Sequence, residues 1–150
     1  MTISVHDVAA YITEMHTKNI DFFFRTEKLQ QLLYYCQAWS LVWDKKPLFK
    51  EKIRAWPNGP VVEEIYDVYG GNCFVHRWRK GVSTRLNKTQ RATIESVLTY
   101  YGTKDSQWLS DLIHKEEPWK KARMGLKPFK PSNRIITHAS MMEYYNGLEK

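Results

Sequence analysis

Residues 26–43 read TEKLQQLLYYCQAWSLVW, and this stretch decides the fold. Leu29, Leu32, Leu33, Cys36 and Trp43 recur on one face at helical spacing, while Tyr34, Ala38, Leu41 and Val42 occupy the opposite side. A helix that is apolar nearly all round is buried on both sides, because no face of it gains from meeting water. The stretch is therefore expected to be the central helix of the core, capped at its start by Thr26 and ended by Pro47.

Upstream, Ser4 and Asp7 have capping-box spacing, and Val8, Ile12 and Met15 continue it, which predicts a first helix over about residues 5–16 and a break over 19–25. Downstream, Phe49, Ile53 and Ala55 alternate with charged residues up to Trp56, the period-two pattern of one or two short strands. Asn58, Gly59 and Pro60 read as a turn that delivers Pro60 to the first position of a helix, with Val61, Ile65 and Tyr69 along it and Gly70 and Gly71 stopping it. A strand is expected within 72–78. Asn87 with Gln90 predicts a capped helix, with Ile94, Leu98 and Tyr101 inward and Gly102 closing it. A short helix over about 106–114, an irregular segment marked by Pro118, Gly125, Pro128 and Pro131, and a last helix opened by Thr137 complete the chain. The expected fold class is mainly α with a small β element, a compact single domain around the buried helix at about 26–43.

Bulk properties agree with that picture. In 150 residues, 43% hydrophobic and 14% aromatic, there is material for one ordinary core and too little length for two. No run approaches the roughly 20 apolar residues of a membrane span, and the first apolar-periodic segment contains Asp7 and Glu14, so a cytoplasmic location without membrane attachment is expected. Cys36 and Cys73 lie in apolar or aromatic surroundings and are expected to be buried, reduced thiols.

The charge is segregated. Lys plus Arg number 23 against 16 acidic residues, yet no acidic residue occurs between Asp67 and Glu95 or between Glu117 and Glu143. The first gap holds Arg77, Arg79, Lys80, Arg85, Lys88 and Arg91, and the second holds Lys120, Lys121, Arg123, Lys127, Lys130 and Arg134. Without these twelve the remainder carries 11 basic against 16 acidic groups. Segregated positive charge speeds encounter with an acidic partner, protein or nucleic acid.

Catalytic patterns do not assemble in the sequence. Cys73 and His76 form the only close pair with zinc-ligand character, and no second pair accompanies them. Cys36 sits on a greasy helical face that disfavours a thiolate. His114 beside Glu116 and Glu117 could serve as an acid and base set, but the helix end followed by Pro118 and Trp119 suits capping and packing better. Gly59 before Pro60 offers a phosphate one flexible residue and no donor at the proline. No enzymatic activity, cofactor or metal is expected. Trp78 among Arg77, Arg79 and Lys80 pairs an aromatic face with cations, as grooves for single-stranded nucleic acid do.

Three stretches taken together, LQQLLYYCQAW at 29–39, IRAWPNGPVVEEIY at 53–66 and LIHKEEPWKKA at 112–122, resemble the Panacea domain, the SocA-like antitoxin domain also found in phage-associated GepA proteins. The resemblance extends over about 7–145. It implies a mainly helical domain encoded beside a protein toxin, which it neutralises by forming a complex, with delivery of the toxin to a protease as a second implied mechanism. By position, the family's motif residues here are Leu29, Leu32, Leu33, Tyr34, Tyr35, Trp39, Trp56, Gly59, Pro60, Val61, Tyr66, His114, Pro118 and Trp119, most of them expected to serve the core or the turn. The chain departs from the family at Gln31, where lysine is common, and in the run Phe22, Phe23 and Phe24. The candidate toxin contacts are Trp56, Tyr66, Arg77, Trp78, Arg79, Lys120, Lys121 and Arg123. A basic nucleic-acid-binding factor is the alternative that composition alone would favour.

Overall fold

The fold is built on α2 (Thr26–Trp43), in which every residue from Leu29 to Val42 is buried. In the computed structural model, which describes residues 3–19 (side chains to residue 16) and 24–148, α2 is surrounded by α1 (Val5–Asn19), α4 (Lys88–Tyr101), α5 (Ser106–Lys115) and α7 (His138–Leu148). Two shorter helices, α3 (Glu63–Tyr69) and α6 (Glu117–Ala122), and two small antiparallel sheets fill the remaining sides. The all-round burial read from residues 26–43 holds from Leu29 to Val42, whereas Trp43, read on the buried face, is exposed at the helix end. Among the described residues no helix is long and apolar enough to cross a membrane.

Burying α2 from Leu29 to Val42 includes burying Gln30, Gln31, Gln37 and Ser40, and each has a main-chain partner. Gln30 donates to the Val62 carbonyl at 3.1 Å and accepts from its N–H at 2.9 Å. Gln31 donates to the Ser106 carbonyl at 3.1 Å, and Gln37 donates to the Phe49 carbonyl at 2.8 Å while accepting from the Leu48 and Phe49 N–H groups. Ser40 donates to the Lys46 carbonyl at 2.8 Å. A stranded buried polar group costs about 1–3 kcal/mol, so each side chain fixes where a connecting segment runs as well as satisfying itself.

The β2 (Arg54–Trp56) and β3 (Gly59–Val61) strands form a hairpin in which Arg54 faces Val61, Ala55 faces Pro60 and Trp56 faces Gly59. The outer edge of β2 is covered by residues 134–136: Ala55 donates to the Arg134 carbonyl and Ile136 to the Ile53 carbonyl. The second sheet joins β1 (Phe24–Arg25) to β4 (Phe74–Val75).

Several local expectations are corrected. Pro60 lies in β3 and the helix begins only at Glu63, because Pro60 opposite Ala55 occupies a strand position where its missing N–H is not needed by the hairpin. Thr26 begins α2 without capping it; its Oγ1 donates to the carbonyls of Asn72 and Cys73 and so ties the helix to the segment before β4. The chain leaves α2 at Asp44 and turns at Lys45 (φ 61), ahead of Pro47. The strand expected within 72–78 shrinks to two residues, α1 runs three residues further than read, and Cys73 is exposed while Cys36 is buried. Asn87 and Gln90 form the reciprocal capping box, each accepting from the other's N–H at 2.8 Å. Phe22 and Phe23 lie outside the described residues.

Candidate functional site

The hairpin, the start of α2 and the end of α3 enclose an open groove of about 520 Å³. Its lining includes Trp56, Pro57, Gly59 and Pro60 from the hairpin, Tyr66 and Tyr69 from α3, and Gln30 and Gln31 from α2. The ring of Tyr66 packs edge-on against Trp56 at 5.0 Å and against Tyr69 at 5.3 Å, so three aromatic side chains form a continuous row. Gly59 is at φ 142, which makes glycine the residue that turns the chain into the groove without strain.

That row is anchored from α6. The Trp119 indole donates to the Trp56 carbonyl at 2.9 Å, and the His114 ring packs on Trp119 at 4.2 Å. His114 also bonds through Nδ1 to the Ser110 carbonyl at 2.7 Å. The acid and base set considered for His114 with Glu116 does not form, because Glu116 turns inward. The hydroxyls of Tyr35 and Tyr145 both donate to its Oε1 at 2.7 Å, and Tyr34 reaches the Tyr145 hydroxyl at 2.9 Å. Burial pushes the Glu116 carboxyl above its ordinary value, opposed by those two hydrogen bonds, and burial likewise raises the three tyrosine hydroxyls. Burial also raises the Cys36 thiol, the direction opposite to that a nucleophile needs.

A second cleft, of about 480 Å³, continues from the groove: Tyr69 and Asn72 line both, and Arg77, Trp78, Arg79 and Lys80 line the second. Its basic wall is strapped onto α1. The Trp78 N–H donates to Thr13 Oγ1 at 2.8 Å, its indole donates to His6 Nδ1 at 3.2 Å, and the Val82 N–H donates to buried Asp7 at 2.8 Å. Gly81 passes so close that an added Cβ would lie 2.0 Å from the His6 carbonyl oxygen. Burial, then Lys80, lowers the His6 pKa and favours the neutral ring that accepts from Trp78.

The structure therefore sorts the candidate contacts. Trp56 and Tyr66 line the groove, and Arg77 and Arg79 are exposed on the adjoining cleft. Trp78 is only 5% exposed and forms the cleft floor, so its expected role as a contact anchor gives way to a packing one. Arg123 is 6% exposed, its guanidinium spent on the main-chain carbonyls of Ala55, Lys127 and Lys130 and packed over Trp119 at 5.7 Å. Lys120, paired with Glu117 at 3.5 Å, and Lys121 are exposed on α6 and line neither cleft. Leu29, Leu32, Leu33, Tyr34, Tyr35 and Trp39 are buried, as is Pro118. Sequence reasoning missed Gln30 and Tyr69. A buried polar residue on an apolar helix was the available signal for the first, and a third aromatic one turn past Tyr66 for the second.

Among the described residues no group of three or more His, Cys, Asp or Glu side chains could hold a metal ion. With this mainly α fold and its motif-lined groove established, comparison with protein families gives a match at residues 29–120 to the family described as antitoxin SocA-like, Panacea domain. The chain belongs to that family. The matched span takes in α2 from Leu29 onward, the hairpin, α3 and most of α6, and falls short of the 7–145 over which the resemblance was read. No curated protein and no solved structure matches the chain.

Proposed function

We propose that this chain is the antitoxin of a toxin–antitoxin pair and silences a protein toxin encoded beside it by direct binding, without chemically modifying it. One observation carries the reading: Trp56, Gly59, Pro60 and Tyr66, which the sequence resemblance marks as motif positions and which fall within the matched span, converge on one open groove with Tyr69 beside them. Aromatic side chains in a partly enclosed surface bury large area at low entropic cost and make the strongest anchors of protein interfaces. The exposed Arg77, Arg79 and Lys80 beside the groove steer an acidic partner toward it.

Coexpression with the product of the neighbouring gene tests this. The reading expects restored growth, co-purification, and a toxin that regains both its unmodified mass and its activity once the complex is stripped. Failure of both rescue and co-purification would remove the reading. Toxin half-life in the same strain separates occlusion, which leaves the toxin intact, from delivery to a protease, which shortens its life.

A further inference from the structure

Arg123 is buried, yet its charge meets no carboxylate in its hydrogen bonds. Nη1 donates to the Ala55 carbonyl at 2.9 Å, and Nη2 is shared among the carbonyls of Lys127 at 3.1 Å, Pro128 at 3.4 Å and Lys130 at 2.8 Å. These acceptors lie on one loop and on β2, so a single guanidinium winds residues 124–131 around itself and fastens them to the hairpin. The loop adds its own bonds, Leu126 N–H to the Arg123 carbonyl at 3.0 Å and Lys130 N–H to the Lys127 carbonyl at 3.0 Å. Arg134 clamps the near end, donating to the Met124 carbonyl at 2.6 Å, and Gly125 takes the left-handed turn at φ 85.

The side chain this scaffold presents is Phe129, 85% exposed, between Lys127 and Lys130, with Met124 71% exposed on the same loop. Isolated apolar residues on a surface need no explanation. A loop organised by a buried cation is different, since fixing its backbone costs conformational entropy while its largest apolar side chain gains no burial within the chain. Pre-ordering a loop lowers the cost of a later association. The loop also begins after residue 120, where the family match ends, so it is a feature of this chain beyond the matched region.

We infer that the 124–131 loop is a pre-formed anchor whose Phe129 inserts into an apolar pocket rimmed by carboxylates on the partner protein, the carboxylates meeting Lys127 and Lys130. No acidic residue of this chain lies between Glu117 and Glu143 to meet those cations locally, which sets the sign of the partner's rim. A protein fits better than an anionic membrane, because stable attachment to lipid requires two strong signals and the loop offers one aromatic and a few cations. The inference rests on the toxin-binding reading and adds a second contact, separate from the aromatic groove.

Phe129→Ala and the double change Lys127→Glu with Lys130→Glu test it, with the purified full-length chain titrated against the product of the neighbouring gene. Phe129 is solvent-facing, so thermal melts should match wild type. Phe129→Ala should weaken the complex at least tenfold, mainly through faster dissociation. The charge reversal should slow association several-fold at low salt and less at high salt. Wild-type affinity in Phe129→Ala, with binding still lost in Trp56→Ala, overturns the anchor and leaves the neutralisation reading standing. If wild type itself forms no complex, that reading fails and the anchor falls with it. Loop-dependent binding to vesicles of phosphatidylcholine and phosphatidylglycerol at 7:3, with none to the protein, also overturns the inference in favour of lipid.

Discussion

Tyr35 donates its hydroxyl hydrogen to Glu116 across 2.7 Å, linking the middle of α2 to the residue that opens α6. Tyr145 of α7 donates to the same oxygen, so three helices meet at one buried carboxylate, and the segment carrying Trp119 toward the groove starts from that point.

The pH dependence of stability follows from this junction. Burial raises the Glu116 pKa above 4.5, against the pull of its two hydrogen bonds, so the folded chain holds this proton more tightly than the unfolded one. The stabilisation from protonation is complete below the ordinary value and is lost as pH rises through the raised folded value. Melting temperatures measured from pH 4 to 8 should therefore fall for wild type relative to Glu116→Gln as pH rises, and the difference should level off above the folded-state pKa. A difference that stays constant across the range contradicts this account of the junction.

Removing hydroxyls should have graded effects. Tyr145→Phe deletes a donor to Glu116 and the partner of the Tyr34 hydroxyl, and should cost about 2 kcal/mol in denaturant unfolding. Tyr34→Phe deletes only the end of the relay and should cost about 1 kcal/mol or less. Equal losses, or the reverse order, would show that the relay is not organised as drawn.

Gln30 links the core to the groove. Gln30→Ala strands the Val62 N–H at the junction of β3 and α3, while the Val62 carbonyl keeps the N–H groups of Ile65 and Tyr66, and should destabilise the fold by about 1–2 kcal/mol. Because β3 and α3 supply Gly59, Pro60, Tyr66 and Tyr69, amide exchange over 59–69 should rise more than over α4. Uniform acceleration in both regions would separate Gln30 from the groove.

The exposed cations should govern rate more than affinity. Arg77→Glu, Arg79→Glu and Lys80→Glu combined should slow association with the neighbouring gene product and flatten its salt dependence, leaving dissociation nearly unchanged, as exposed pairs contribute only about 0–1 kcal/mol each. An unchanged on-rate at low salt would mean that this surface is merely solvated. The same mutant titrated with labelled single-stranded DNA tests the nucleic-acid alternative.

How far the sequence reveals these arrangements depends on the range of the forces involved. Residues 26–43 reveal their burial because apolar periodicity on both faces is a local signal, and Asn87 with Gln90 reveals a cap because both partners lie within one turn. Pro60 misleads: a proline after glycine suits a helix start and an edge strand alike, and only pairing with Ala55 decides between them. Trp78 and Arg123 read as surface contacts because aromatic and cationic residues sit in basic runs. Their burial depends on His6, Thr13 and Ala55, which are 65 to 72 residues away along the chain. The groove was half legible: the motif named Trp56 and Tyr66, whereas its junction with the basic cleft at Tyr69 and Asn72 is a product of the tertiary fold.

The most direct measurement is titration of the purified neighbouring gene product's toxic activity with the purified chain, wild type beside Trp56→Ala with Tyr66→Ala. The account predicts saturable inhibition by wild type that reverses on separation, and an inhibition midpoint shifted at least tenfold upward for the double variant at unchanged fold content. Toxic activity that persists at saturating wild-type chain would contradict it.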